Sequence, residues 1–326
     1  MRIIAKSGTI VGDNPPHGKG GAMGWRRGGL LAACLVAVLA AGCSGPGGDR
    51  DTGGPGLRVV ATTTQVADLA ANVGGDPVRV TSLLKPGIDA HDYEPSPADI
   101  NAIAHADVVL QNGVGLERWL GDTIESSGYD GPVVDASQGV RLRKVGGEPD
   151  PHIWQDPRNA MVMAANIERG LARVDPGSAG LYRDNLDAYL KDLRALDAEV
   201  ERQTAGLANR KVVTNHDAIG YYLDRYHLEL VGSVIPSFDT SAELSGRDIR
   251  DLVAKIKATK VEAVFSETSL PPRAAETIGR EAGVKVVTGE DALYGDSLGP
   301  PGSDGDSYIR MIRHNTRTIV SNLSGI

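Results

Sequence analysis

PGSAGLYRDNLDAYLKDLRALDAEVERQTAGL, the segment from Pro176 to Leu207, reads as one long helix. Leu186, Leu190, Leu193 and Leu196 recur at spacings of four and three, which places them on one helical face. Pro176 suits a first helical turn, where its missing N–H breaks no hydrogen bond. Helical throughout, the segment would span about 45 Å at ~1.5 Å per residue. The alternative is two shorter packed helices with a break near Gly180.

Outward from this segment, in both directions, short β-rich runs alternate with helical patterns. On the N-terminal side the strands are 58–63, 78–84, 107–111 and 133–135, and the helices 65–73, 97–106, 116–126 and 159–174. On the C-terminal side the strands are 211–214, 228–235, 263–266 and 285–287, and the helices 218–227, 245–259, 273–282 and 307–323, with Ser245 as an N-cap. Strands alternating with helices imply parallel sheets covered on both faces. The expected fold is therefore α/β: two lobes, 57–175 and 208–326, each with a parallel-rich β-sheet flanked by helices, joined by one long backbone helix over 176–207. A chain of 326 residues is long enough for both lobes.

The first 42 residues differ from the rest. Trp25-Arg26-Arg27 precedes an apolar run from Gly28 to Ala41, and Leu39-Ala40-Ala41-Gly42-Cys43 ends it. The run is too short for a stable transmembrane helix and reads as a signal peptide. The small residues before Cys43 are similar to a bacterial lipobox, with Ala40 where such motifs usually carry Leu; this makes Cys43 the expected lipidation site. An ordinary cleaved signal with an incidental Cys43 is the alternative. Residues 1–22 are polar and Gly-rich, and Met23 is a tidier start. Residues 43–56 read as a flexible tether rich in Gly, Pro, Asp and Ser.

Without the first 42 residues, which hold five of the 34 basic and one of the 42 acidic residues, the chain carries 29 basic and 41 acidic residues, a net charge of −12. Such a surface repels phosphate backbones and attracts cations, so nucleic acid is not an expected partner. Cys34 falls in the signal, which leaves no disulfide and no thiolate metal site. A metal would have to be held by imidazoles and carboxylates.

Three histidines occupy unusual contexts: Asp89-Ala90-His91-Asp92-Tyr93-Glu94-Pro95-Ser96-Pro97, Asp150-Pro151-His152-Ile153-Trp154-Gln155-Asp156-Pro157, and Thr214-Asn215-His216-Asp217-Ala218-Ile219-Gly220. Each is expected at the carboxyl end of a strand, where open α/β sheets bind ligands. Asp291-Ala292-Leu293-Tyr294-Gly295-Asp296-Ser297-Leu298 offers a carboxylate at the same edge, with Asp291 as the nearest rival of Asp296. Three imidazoles and one carboxylate suit a divalent cation. Glu267, Asp217 and Asp89 are candidates to support the ligand imidazoles from behind. His105, His227 and His314 fall in helical patterns or at a helix end and read as surface or packing residues.

These four segments resemble those of the solute-binding proteins of zinc and manganese ABC importers, over about Leu57 to Leu323. The resemblance implies two α/β lobes joined by a long helix and metal ligands at His91, His152, His216 and Asp296. Some manganese-binding members place Glu at the position of His216. Many zinc-specific members carry a His-rich loop between the first two ligands, whereas this interval holds only His105. The resemblance further implies a monomeric, extracytoplasmic protein, lipid-anchored to the cell membrane. It would deliver its metal to an ABC permease and its ATPase subunit.

Three nitrogens and one oxygen favour Zn(II) over Mn(II), which prefers more oxygen and could gain it if Asp296 binds bidentately. A zinc chaperone or surface adhesin using the same site is the alternative function. A zinc hydrolase is a more distant one, because four protein ligands would close the position that catalysis keeps for water, and no His-Glu-x-x-His helix is present.

Overall fold

The structure is a computed structural model that describes residues 56–324 except Glu243. The expected signal peptide, its alternative start at Met23, Cys43 and all but the last residue of the tether lie outside the described residues. The first half runs β1 (Leu57–Ala61), α1 (Thr64–Gly74), β2 (Val78–Ser82), α2 (Pro97–Ala104), β3 (Val108–Gln111), α3 (Leu120–Ser127) and β4 (Val133–Asp135). A small antiparallel hairpin follows, β5 (Lys144–Val145) and β6 (Glu148–Pro149), which the sequence pattern did not signal. Then come α4 (Pro157–Val174) and α5 (Ala179–Ala205). The second half runs β7 (Lys211–Thr214), α6 (Gly220–Arg225), β8 (Glu229–Ser233), α7 (Gly246–Thr259), β9 (Ala263–Phe265), α8 (Arg273–Ala282), β10 (Lys285–Val287) and α9 (Tyr308–Leu323).

The two larger sheets share one topology. Their orders are β2-β1-β3-β4 and β10-β9-β7-β8, with every pairing parallel. In each, the first strand of the half sits between the second and the third, so the strand order reverses there. Such a reversal opens a crevice at the carboxyl ends of the strands.

Side-chain alternation shows why both sheets are buried on both faces. Val59 and Ala61 of β1 and Val108 and Leu110 of β3 enter one large core, while Val60 and Val109 enter a separate cluster under α2 and α3. In the second half Val212, Ala263 and Phe265 join the same large core, and Val213 and Val264 pack under α7 and α8. Period-two alternation thus supplies two apolar faces per sheet, and the inner faces share one core.

α5 lies in that shared core. Tyr182, Leu186, Tyr189, Leu193, Leu196 and Val200 are all buried, at spacings of four and three. Two tyrosines therefore extend the apolar face drawn from leucines, and Leu190 sits at its margin. The helix passes through Gly180 unbroken, after a single 3-10 turn over Pro176–Ser178. At 27 residues it is about 40 Å long. α9 returns to pack on α5 and α1, closing the chain against the first half.

Helix starts follow local chemistry. Ser96 with Asp99, and Ser245 with Asp248, form reciprocal capping boxes at α2 and α7. Asp156 caps α4, with Pro157 in the first turn. No described helix is long and apolar enough to cross a membrane.

Candidate metal centre

His216 lies two residues beyond β7, where Thr214 Oγ1 donates to the His216 carbonyl at 2.6 Å and turns the chain off the strand. Glu267, two residues beyond β9, accepts both the His216 backbone N–H at 3.0 Å and its ring Nδ1 at 2.8 Å. The adjacent strands β7 and β9 thus present an imidazole and its carboxylate partner at the reversal point of the second sheet.

His152 arrives by a different route. It follows the β5–β6 hairpin rather than a strand of a parallel sheet, and it opens a 3-10 turn that leads into α4. Asp150, two residues earlier, accepts its backbone N–H at 3.0 Å and its Nδ1 at 2.8 Å. Asn112, just beyond β3, donates to the Pro151 carbonyl at 3.0 Å and anchors the segment to the first sheet.

His91 lies in the loop between β2 and α2, with its backbone N–H on Asp89 Oδ1 at 2.9 Å. Asp296 follows a loop that pairs with the end of β9 through an isolated parallel bridge between Glu267 and Leu293. Asn315 of α9 grips that loop from both sides, accepting from Tyr294 N–H at 2.9 Å and donating to its carbonyl at 2.8 Å. Trp154 Nε1 and Gln155 Nε2 donate to the Gly295 carbonyl at 3.1 and 2.9 Å, which ties the His152 segment to the Asp296 loop. A Cβ on Gly295 would collide with Glu267 Oε2, so a larger residue there forces the Glu267 carboxylate to shift.

These elements bring His91, His152, His216 and Asp296 together with one donor atom each, all within 4.8 Å of one another. The imidazole Nε2 atoms converge, at 3.1 Å between His91 and His152 and 3.4 Å between His152 and His216. Asp296 Oδ1 is 3.3 Å from His152 Nε2, and Oδ2 is 3.4 Å from His216 Nε2 and 3.8 Å from His91 Nε2. Zn–N bonds of about 2.0–2.1 Å in a tetrahedron set donors roughly 3.3–3.4 Å apart. Most of the observed separations fall close to that.

The Asp296 carboxylate is fully buried, and among the described residues neither of its oxygens has a hydrogen-bond partner outside the three imidazoles. A buried carboxylate in that state is costly unless positive charge joins it. The donor set therefore fits a divalent cation, and both oxygens are free to face it.

Protonation follows the surroundings. Burial is the largest influence on His152 and lowers its pKa, but the hydrogen bond to Asp150 and the Asp296 carboxylate outweigh it and bring the value up to about 9. His216 is raised well above the usual imidazole range, because Glu267 and Asp296 overcome its burial. His91 lacks such a partner, and burial, reinforced by its neighbouring imidazoles, lowers it to about 4 despite Asp296. Asp296 is held well below the usual carboxylate range: its burial acts the other way and is overcome by His216 and His152.

The three supporting carboxylates expected from sequence have different places. Glu267 touches the His216 ring. Asp89 holds the His91 backbone rather than its ring. Asp217 pairs instead with Arg143 at 3.3 Å. Two participants went unrecognised. Asp150 serves His152 as Glu267 serves His216; the Asp-x-His spacing it shares with Asp89 and His91 was the available signal. Arg143 binds both Asp150, at 2.8 Å, and Asp217, and only the fold brings it there. Asp291 is exposed and outside the cluster. His314 is a buried packing residue whose Nε2 bonds the Ala292 carbonyl at 3.0 Å.

A mixed α/β protein with two parallel sheets and a buried cluster of three imidazoles and a carboxylate belongs to the class of metal-binding proteins. The family described as zinc-uptake complex component A, periplasmic (ZnuA), matches residues 59–322. The chain is 34% identical to the manganese-binding lipoprotein MntA of Halalkalibacterium halodurans over 299 residues, 89% of this chain and 96% of the relative. It is 30% identical to the metal ABC transporter substrate-binding lipoprotein ScbA of Streptococcus cristatus over 308 residues, 90% and 98% of the two chains. Among solved structures, the periplasmic zinc-binding protein TroA of Treponema pallidum superposes with a TM-score of 0.76 at 29% identity, covering 82% of this chain and 99% of that one. The chain belongs to this family, the metal-binding substrate-binding components of ABC transporters.

Proposed function

We propose that this chain captures one divalent transition metal ion with His91, His152, His216 and Asp296, and delivers it to an ABC import permease coupled to its ATPase subunit. The observation that carries the proposal is the Asp296 carboxylate, buried with no polar partner among the described residues but the converging imidazole Nε2 atoms. Zn(II) suits three nitrogens and one oxygen, and it lies above Mn(II) in intrinsic affinity. Mn(II) is next, because Asp296 presents both oxygens and can bind through two; the manganese-binding relative supports that second choice. The metal is cargo, and delivery rather than catalysis is its purpose. The protein works outside the cytoplasm as a monomer, held to the membrane by a lipid on Cys43. Segments 57–175 and 208–326 act as its two lobes about the helix within 176–207. Their shared core around α5 restricts opening to small movements at the mouth of the site.

The test is metal analysis of protein purified without added metal, with competitive Zn(II) and Mn(II) titration of the wild type and His216→Ala. One ion per chain is expected, with affinity in the variant lower by more than about a hundredfold, since even groups behind metal ligands can be worth that much. Unchanged affinity in His216→Ala refutes the site.

A further inference from the structure

The four donors are held very differently. His152, His216 and Asp296 have fully buried side chains, whereas that of His91 is 7% exposed. The buried three are cross-braced. Asp150 and Glu267 fix the two rings. The Gly295 carbonyl joins the loop of Asp296 to Trp154 and Gln155, and Asn315 grips Tyr294. Among the described residues no carboxylate or carbonyl accepts from His91 Nδ1, so its ring lacks the brace that the other two imidazoles have. What holds His91 is its backbone bond to Asp89 Oδ1, and Asp89 Oδ2 in turn accepts from Thr240 Oγ1 at 2.5 Å.

Thr240 belongs to the segment after β8, in the opposite half of the molecule. That segment crosses the mouth of the site. The Ser237 carbonyl accepts from Asp217 N–H beside His216, the Phe238 ring lies 6.1 Å from that of His152, and Asp239 pairs with Arg118 at 2.8 Å. Among the described residues of that segment, Thr240 is the one whose side chain hydrogen-bonds the carboxylate that holds the His91 backbone.

We infer that His91 is the exchanging donor of the site, and that Thr240, acting through Asp89, is a positioning residue that sets how fast the metal leaves. The inference rests on the metal-site reading above. The ion loads onto a braced platform of His152, His216 and Asp296, and His91 closes it from the exposed side. Breaking the Thr240–Asp89 hydrogen bond frees the His91 loop without touching a donor.

The experiment loads the protein with Zn(II) and follows its transfer to excess EDTA by stopped flow. In Thr240→Val, which keeps the shape but loses the hydroxyl, release is expected to be about tenfold faster, the worth of one hydrogen bond to a charged group. Thr240→Ser should restore the wild-type rate, and all three proteins should bind one ion and melt alike without metal. Arg118→Gln loosens a neighbouring contact of the same segment and should leave release unchanged. A wild-type release rate in Thr240→Val, or equal acceleration in Arg118→Gln, overturns the inference. His152→Ala separates the two readings: if it still binds with wild-type affinity the site itself is wrong, and if it loses binding while Thr240→Val releases normally only the present inference falls.

Discussion

The two halves of the molecule fold their sheets in the same order and use the crevice differently. In the second half the strands flanking the reversal point, β7 and β9, end directly in His216 and Glu267. In the first half the corresponding strands, β1 and β3, end in a supporting network. Thr62 Oγ1 donates to the buried Glu117, which also accepts from Asn112 N–H, while Asn112 holds the Pro151 carbonyl. The first half then builds its donors on loops, His91 after β2 and His152 after a hairpin. One topology therefore places an imidazole in two ways, by the end of a strand or by a turn hung from one. The braces differ accordingly: Glu267 is 51 residues from His216, whereas Asp150 is two from His152.

The largest way to break the second half is Gly295→Ala. Its Cβ would collide with Glu267 Oε2, and little else can yield, because the Gly295 carbonyl is bonded to Trp154 and Gln155. The expected outcome is loss of measurable metal binding by titration, with a lowered melting temperature. Wild-type affinity in this variant would show that Glu267 and the Asp296 loop move more freely than their packing implies.

Acidity sharpens the comparison next. The two carboxylate-braced rings are raised, His152 to about 9 and His216 also above the usual range, while unbraced His91 is lowered to about 4. At pH 7 without metal the braced rings carry protons that the metal has to displace, and His91 contributes none. Affinity should therefore rise with pH by at least about tenfold per unit near pH 7, and less steeply once His152 has lost its proton near pH 9. The metal-free protein should behave in the opposite sense. A raised folded-state pKa stabilises below the unfolded value, so melting temperature should fall as pH rises from about 6.5 to 9. His91, lowered, withdraws stability as pH falls from about 6.5 to 4. Titration in buffers of different ionisation enthalpy counts the protons; an affinity flat from pH 7 to 9 would sink this account.

How much of this was legible follows from how local each cause is. The strand and helix succession was readable because alternation and spacing are local. The four residues that the fold gathers into one cluster were readable because each sits in a short distinctive segment. Asp150 was nearly readable, since the turn that lets it accept from its own i+2 backbone and ring is written in Asp150-Pro151-His152. Arg143 was not, because it meets Asp150 only across the β5–β6 hairpin and Asp217 only when that segment folds against α6. Asp217, one of the candidates to support a ligand imidazole, faces Arg143 instead, a contact between residues 74 positions apart that no local pattern announces. The apolar face of α5 was drawn from leucines and missed Tyr182 and Tyr189, whose rings complete it once both sheets press on the helix.

The finest distinction between the halves lies in the charge of the two braces. Glu267→Gln and Asp150→Asn each keep an oxygen where the backbone N–H and Nδ1 donate, so geometry can persist in both. What each removes is the negative charge that makes the imidazole a better donor to metal. Asp150 already shares its charge with Arg143, which also pairs with Asp217 and Asp224. Glu267 meets no cationic side chain within ion-pair distance among the described residues other than His216 itself, and its Oε2 makes no hydrogen bond there. The expected loss of metal affinity is therefore about 10- to 100-fold for Glu267→Gln and only a few-fold for Asp150→Asn, measured by competition with a chelator at one pH. Equal losses would mean that Arg143 does not screen Asp150, and that the two halves, though built differently, hold their imidazoles equally firmly.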